Sequence, residues 1–151
     1  MSGILPSDDA IEAFKRVKAG QDAWAVFAVC NEKTVEAIHA VTADADHRGT
    51  AFSRFESDIW AGLVDWVAAN MANRAGYIIL SMKKVMDGVD QSRLSVISWC
   101  PETGMKVKAK MLHGSALNAV KQTFEGIEGK PVQAGSIEDL QLTEVYAEVG
   151  L

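Results

Sequence analysis

The sequence predicts an α+β fold in which a central mixed β-sheet of about five strands is sandwiched between helices. Three observations lead to this prediction: apolar runs that are hydrophobic on both faces, short turns that join these runs in pairs, and amphipathic segments at helical spacing between the pairs. The predicted order of elements is α-β-β-α-β-β-α-β-α. At 151 residues, 48% of them hydrophobic, the chain is expected to form a single domain over residues 1–151.

The first two thirds of the chain contain two helices and two hairpins. Ser7 is the expected N-cap of the first helix, which Ala19–Gly20 ends. The runs AWAVFAVC and TVEAIHAV, joined by the turn NEK, predict a pair of strands. A long amphipathic helix is expected from Thr50 to Asn70, because its apolar residues recur at spacings of three and four. The runs AGYIILSM and RLSVISWC predict a second hairpin that turns at Asp87–Gly88.

The last third is expected to hold two helices and one short strand. The first of these helices begins at Met111 or Ser115 and ends near Phe124. The segment KPVQAG predicts an edge strand, where proline is tolerated. Ser136 followed by Asp139 resembles the capping box of a final helix.

Charge is distributed unevenly along the chain. The net charge is -5, which argues against general nucleic-acid binding. Residues 122–151 carry six acids and one lysine, whereas residues 104–121 carry four lysines and no acid. No signal-peptide pattern is present and no apolar run approaches the roughly 20 residues of a membrane span, so an intracellular, soluble protein is expected. Cys30 and Cys100 close apolar runs and are expected to be buried and reduced.

The sequence offers no pattern for catalysis or for a metal site. His39, His47 and His113 lack ligand spacing. A triad built on His113 and Ser115 would lack a nucleophile elbow, and no complete phosphate-binding loop is found. We therefore expect a protein that is not an enzyme and that needs no metal and no cofactor.

A row of lysines indicates binding instead. Lys106, Lys108 and Lys110 alternate, so in an extended segment their ammonium groups would leave on one face. Met111 follows directly and offers an adaptable apolar contact beside the charges. This combination suits an acidic protein surface with an apolar cleft. An ordinary solvated lysine face and a lipid-headgroup site are the alternatives.

The stretch WCPETGMKVKAKMLHGSALNAVKQTFEGI resembles the actin-depolymerising factor/cofilin family, and the opening MSGILPSDDAIEAFKRVK is also similar to that family. The residues that match in order and spacing are Trp99, Pro101, Glu102, Lys108, Lys110, Met111, Ser115, Ala119, Val120, Lys121 and Gly126. The resemblance covers nearly the whole chain and is weakest over residues 43–75, where the second helix looks longer than usual. It implies a single ADF-homology domain.

By this resemblance, the protein is a cytoplasmic, monomeric actin binder of the actin cytoskeleton. It would bind actin monomers, favour ADP-actin, regulate nucleotide exchange and promote filament depolymerisation. The residues matching the family's monomer-binding surface are Ser2, Gly3, Lys106, Lys108, Lys110, Met111, Ser115 and Lys121. Those matching its filament-binding site are Lys83, Lys84 and Arg93. Ser2 has two interpretations. A small second residue permits removal of the initiator methionine, whereas the resemblance implies a phosphorylation site, where a dianionic phosphate would repel an acidic partner.

The chain departs from the family at several positions. Residues 113–117 read His-Gly-Ser-Ala-Leu where the family commonly has Tyr-Ala-Ser-Ser-Lys, and Gln122 and Thr123 stand where lysines are common. The last helix is acidic where the family's filament site is basic, so filament side-binding and severing are expected to be weak. Two alternatives remain: a coactosin-like or twinfilin-like actin binder, and a phosphoinositide-binding protein that uses the same lysines.

Overall fold

A computed structural model describes residues 3–43 and 55–151. In chain order the elements are β1 (Leu5–Pro6), α1 (Asp8–Lys18), β2 (Asp22–Cys30), β3 (Thr34–Thr42), a π-helical turn (Phe55–Trp60), α2 (Ala61–Asn70), β4 (Gly76–Met86), β5 (Val89–Trp99), α3 (Val107–Thr123), β6 (Val132–Ala134), a 3₁₀ turn (Ile137–Asp139) and α4 (Leu142–Glu148). Apart from the added β1, this is the predicted order of helices and strands.

The strands form one mixed six-stranded sheet in the order β1-β3-β2-β4-β5-β6. The four inner strands are antiparallel, and β1 and β6 join the edges in parallel. Both predicted hairpins are confirmed, and the β4–β5 turn has Asp87 and Gly88 at positive φ, as a tight two-residue hairpin requires. The predicted edge strand is confirmed as β6. The two-residue β1 is the sixth strand that the sequence pattern did not reveal.

Both faces of the sheet are covered, which explains why the inner strands are apolar on both sides. Trp24 and Val26 of β2 face a core that includes α2 and α4. Ala25 and Phe27, between them in sequence, face a second core that includes α1 and α3. Because successive strand residues point to opposite faces, a strand covered on both sides must be apolar throughout.

The first helix begins as predicted. The Ser7 hydroxyl accepts a hydrogen bond from the Ala10 backbone N–H at 3.1 Å, and Asp8 and Asp9 lie in the first turn, where the helix dipole favours negative charge. Farther along α1, Arg16 donates two hydrogen bonds of 3.1 Å to the buried carboxylate of Asp22. This ion pair joins the helix to the start of β2.

Three predictions about local structure need correction. Helix α3 begins at Val107, before Met111 or Ser115, so the lysine row is helical and not extended. The first buried residue of α3 is His113, so the side chains of its first turns are exposed or half-buried. Apolar periodicity could therefore not reveal these turns. The capping box is only partly right: Ser136 is the N-cap of the 3₁₀ turn but makes no side-chain capping bond, the Asp139 carboxylate accepts a hydrogen bond from the Gly135 N–H at 3.0 Å, and α4 begins only at Leu142.

The predicted second helix is confirmed at its end, Asn70, but its first described turn is π-helical. Its start at residues 50–54 lies outside the described residues. Cys30 and Cys100 are free thiols, as expected, but they are half-buried and not buried. Within residues 3–43 and 55–151, no helix is both long and apolar enough to cross a membrane.

Candidate functional site

The exposed side of α3 is the main candidate site, and we call it the α3 face. It consists of Val107, Met111, Ser115, Asn118 and Gln122, all of them exposed. Their spacings of four, four, three and four place them on one stripe of a helix. Val107 is 74% exposed and Met111 66% exposed, and because they lie one helical turn apart they form a small apolar patch on the surface. The stripe therefore offers an apolar start and a polar end to a partner.

The opposite side of α3 is anchored in the core. His113 is 5% exposed, its Nε2 lies 2.9 Å from the Ser98 hydroxyl, and its ring stacks on Tyr77 with centroids 4.4 Å apart. The Tyr77 hydroxyl donates a hydrogen bond to the His113 backbone carbonyl. Burial lowers the pKa of His113 to about 4 and raises the pKa of Tyr77. Both groups are neutral near pH 7 and fix the helix against β4 and β5.

The lysines flank the α3 face but do not form one row. Lys106 is the N-cap residue, and Lys110 lies one helical turn later on the same side. Lys110 Nζ donates a hydrogen bond of 2.7 Å to the Glu102 carbonyl oxygen. Lys108 lies on the other flank, where its Nζ is 3.0 Å from Glu32 Oε2. Lys121 is exposed near the end of the helix, which contains no acidic residue.

The N-terminal segment lies on the same side of the molecule as α3. Strand β1 packs beside α3 and pairs with β3, Leu5 opposite Thr34. Gly3 precedes it, exposed and at φ 69°. Gly3 is therefore two residues from a strand that neighbours the α3 face. Ser2 lies outside the described residues, and its predicted phosphorylation stays a prediction.

The residues predicted for filament binding lie elsewhere, on the β4–β5 hairpin. In the register of this hairpin, Lys83 is opposite Ser92, Lys84 is opposite Gln91 and Arg93 is opposite Met82. The side chains of Lys83 and Lys84 lie outside the described residues. The Arg93 guanidinium is 3.0 Å from the Glu128 carboxylate, so an acid of the same chain neutralises its charge.

The last helix adds negative charge and no positive charge. Glu144 and Glu148 of α4 are exposed, and Glu138 and Asp139 precede them. Glu148 accepts a hydrogen bond of 2.7 Å from the Lys130 backbone N–H, which fixes the carboxylate against the preceding loop. The acidic segment foreseen from the sequence is thus an acidic surface.

A cavity of about 380 Å³ lies beneath the start of α3. Its walls come from the β2–β3 turn, the loop before β4 and the first turns of α3, and they include Glu32, Arg74, Lys106, Lys108 and His113. In the described parts of the chain, no group of three or more His, Cys, Asp or Glu residues could hold a metal ion.

Sequence reasoning missed four residues of this site. Val107, Asn118 and Gln122 belong to the α3 face, and Glu32 contacts Lys108. The stripe could have been predicted from the sequence, because its residues recur at spacings of three and four if the helix begins at Val107. The Glu32 contact has none, since a tertiary fold alone brings a turn residue to a distant helix.

Comparisons with known proteins agree with this architecture. A family model described as "Cofilin/tropomyosin-type actin-binding protein" matches residues 3–150. Actophorin of Acanthamoeba castellanii is 24% identical over 128 residues, which are 85% of this chain and 82% of that protein.

Solved structures show the same fold. Actin depolymerization factor 2 of Plasmodium berghei superposes with a TM-score of 0.77 at 19% identity, over 100% of this chain and 99% of that chain. Coactosin from Entamoeba histolytica superposes with a TM-score of 0.70 at 18% identity, over 99% and 96%. The mixed sheet with helices on both faces, and a family match from end to end, establish that this chain belongs to the cofilin/actin-depolymerising factor family of actin-binding proteins.

Proposed function

We propose that this protein binds actin monomers through the α3 face and its flanking lysines, favours ADP-actin, regulates nucleotide exchange and promotes filament turnover. The observation that carries the proposal is an acid-free helix whose exposed stripe begins with Val107 and Met111. An apolar stripe can enter the apolar cleft of actin, while Lys108 and Lys110 meet acidic groups around it. No step of this function requires covalent chemistry, and its place in the cell is the cytoplasmic actin cytoskeleton.

Gly3, Lys106, Ser115 and Lys121 extend the proposed contact. The Ser115 hydroxyl donates a hydrogen bond of 2.8 Å to the Met111 carbonyl oxygen. This bond satisfies the hydroxyl donor within the helix, so the side chain needs no acceptor from the partner. Lys106 and Lys121 are exposed near the two ends of the face. These charges steer the approach of an acidic partner and make the association rate salt-dependent.

Filament side-binding and severing are proposed to be weak. The guanidinium of Arg93 is paired with Glu128, and the exposed surface of α4 is acidic. Actin's surface is itself acidic, so this side of the protein meets like charge. In co-sedimentation with filaments, we expect only a small fraction of the protein to pellet, and we expect moderate salt to abolish this binding. Strong pelleting that survives moderate salt would contradict the proposal.

The test of monomer binding is nucleotide exchange from purified ADP-actin monomers. The protein is expected to slow release of a fluorescent nucleotide. A variant with Lys108→Ala and Lys110→Ala should need about tenfold more protein for the same effect, because two cations beside the face are removed. The matched control is Lys15→Ala with Lys130→Ala, two exposed lysines outside α3, which should behave like the parent. No effect of the parent on exchange would refute monomer regulation.

Two further arms use the same proteins. Ser2→Glu is expected to weaken monomer binding, because added negative charge would face an acidic partner. Vesicles containing phosphoinositides test the competing function. If the Lys108→Ala, Lys110→Ala variant loses actin and keeps vesicle binding, actin is the partner of this helix; the reverse result favours the lipid.

A further inference from the structure

We propose that Glu32 is an intramolecular competitor for the partner of Lys108: its carboxylate holds this lysine in the free protein and must be displaced when the helix meets an acidic surface. The inference rests on the proposed function and deepens it, because it identifies a residue outside α3 that sets the affinity and salt dependence of the same site.

The contact itself is direct. Lys108 Nζ lies 3.0 Å from Glu32 Oε2, within the distance of an ion pair. In the described part of the chain, no other acidic side chain lies within salt-bridge distance of a lysine of α3. Lys110, by contrast, donates a hydrogen bond to a neutral carbonyl oxygen, which does not offset its charge. Glu32 thus offsets the charge of Lys108, one of the lysines of the proposed site.

The backbone aims Glu32 at the helix. Asn31 and Glu32 both adopt positive φ, 53° and 59°, in the tight turn between β2 and β3. Two consecutive left-handed residues are typical of the hairpin turn in which asparagine and glycine are favoured. A glutamate at the second position is unfavourable for the backbone. The turn therefore holds an acid at a position that favours glycine, and that acid lines the same cavity as Lys108.

The pair can also open. The Lys108 side chain is 70% exposed and that of Glu32 is 59% exposed, so water replaces the contact at little cost. A partner carboxylate of actin can then take the lysine, but only against the carboxylate already present. Salt weakens both contacts, so the effect of Glu32 should be largest at low ionic strength.

The experiment measures the dissociation constant for ADP-actin monomers at low and moderate salt. Glu32→Gln keeps the size of the side chain and removes its charge, and it should tighten binding about two- to fivefold at low salt and less at moderate salt. In a Lys108→Ala background the same substitution should give almost no gain, since the competitor has lost its target.

Two controls separate competition from other effects. Glu138→Gln removes one exposed acid from the other side of the sheet and should leave affinity nearly unchanged, which excludes an effect of net charge. Asn31→Gly relaxes the turn without removing the acid and should also leave affinity unchanged.

The results that would overturn the inference are distinct. Weaker or equal binding by Glu32→Gln would show that Glu32 positions Lys108 or touches the partner itself. An undiminished gain in the Lys108→Ala background would show a long-range effect in place of competition. If the parent does not bind monomers at all, the proposed function fails and the inference falls with it. A parent that binds beside a Glu32→Gln that gains nothing refutes the inference alone.

Discussion

Helix α3 and the chain that follows it carry opposite charge. Residues 104–121 carry four lysines and no acid, whereas residues 122–151 carry six acids and one lysine. The lysines stand around an exposed apolar stripe, while Glu128 pairs with Arg93 and the other acids are exposed on α4 and on the chain that leads to it. The difference teaches that one small protein can carry a cationic surface beside a surface that is acidic or neutralised by its own residues.

The largest expected effect concerns the core that holds α3 in place. Phe124 follows α3, is fully buried, and stacks on Phe14 with ring centroids 4.5 Å apart. Phe124→Ala should lower the free energy of unfolding by about 3–5 kcal/mol, because it removes an aromatic side chain and leaves a cavity. Urea denaturation measures it.

The matched variant is Met111→Ala on the exposed side of the same helix. Its side chain is 66% exposed, so its loss should change stability by less than about 0.5 kcal/mol while weakening monomer binding. A Met111→Ala protein with parental affinity would mean that the apolar stripe is not part of the contact.

The second effect is a pH dependence that comes from the core side of α3. An unfolded histidine takes up a proton near pH 6.5, whereas burial holds the pKa of folded His113 near 4. The unfolded state therefore binds more protons between these values, and stability is fully present above pH 6.5 and is lost as the pH falls toward 4. The loss from pH 7 to pH 4.5 should be on the order of 2–3 kcal/mol.

Denaturation of His113→Gln at both pH values provides the comparison. Glutamine can still hydrogen-bond the Ser98 hydroxyl but does not titrate, so this variant should lose less stability on acidification than the parent. Equal losses in the two proteins would assign the pH dependence to other groups.

The smallest effect concerns the acidic region. Glu128→Gln releases the Arg93 guanidinium, and Glu144→Gln removes one negative charge from α4. Together they should increase filament co-sedimentation at low salt by a few-fold, because exposed charges contribute about 0.2–1 kcal/mol each. Monomer binding should not change. If monomer binding rises equally, the two surfaces are not independent and the comparison fails.

The sequence predicted the inner sheet well because burial on both faces leaves a direct trace in composition. The strands β2 and β4 are continuous apolar runs. Asp87–Gly88 is a residue pair typical of a two-residue hairpin turn. The lysine helix was harder to place. Residues 107–112 include no fully buried side chain, so no apolar periodicity marks them, and alternating lysines fit an extended segment equally well.

The site shows the same division. Lys108, Lys110 and Met111 were predicted from a local motif, because their order and spacing can be read directly from the sequence, and their role in binding stays a prediction. The partner of Lys108 was not, because Glu32 reaches it only through the packing of β2, β3 and α3. The pairing of Arg93 with Glu128 is equally invisible before folding. Local chemistry is readable from sequence, and neutralisation by a distant residue is not.

The two outermost strands have a consequence for how this protein behaves in a crowded solution. An exposed strand edge is a template on which another chain can add by backbone hydrogen bonds. Here β1 has two residues and includes Pro6, and β6 has three residues directly after Pro131. Each edge strand itself adds few free donors and acceptors, and proline cannot donate at all. Because β1 pairs only with Thr34 and Val35 and β6 only with residues 97–99, the two strands cover only part of β3 and of β5. Another copy that added a strand to β1 or to β6 would therefore find few backbone partners there.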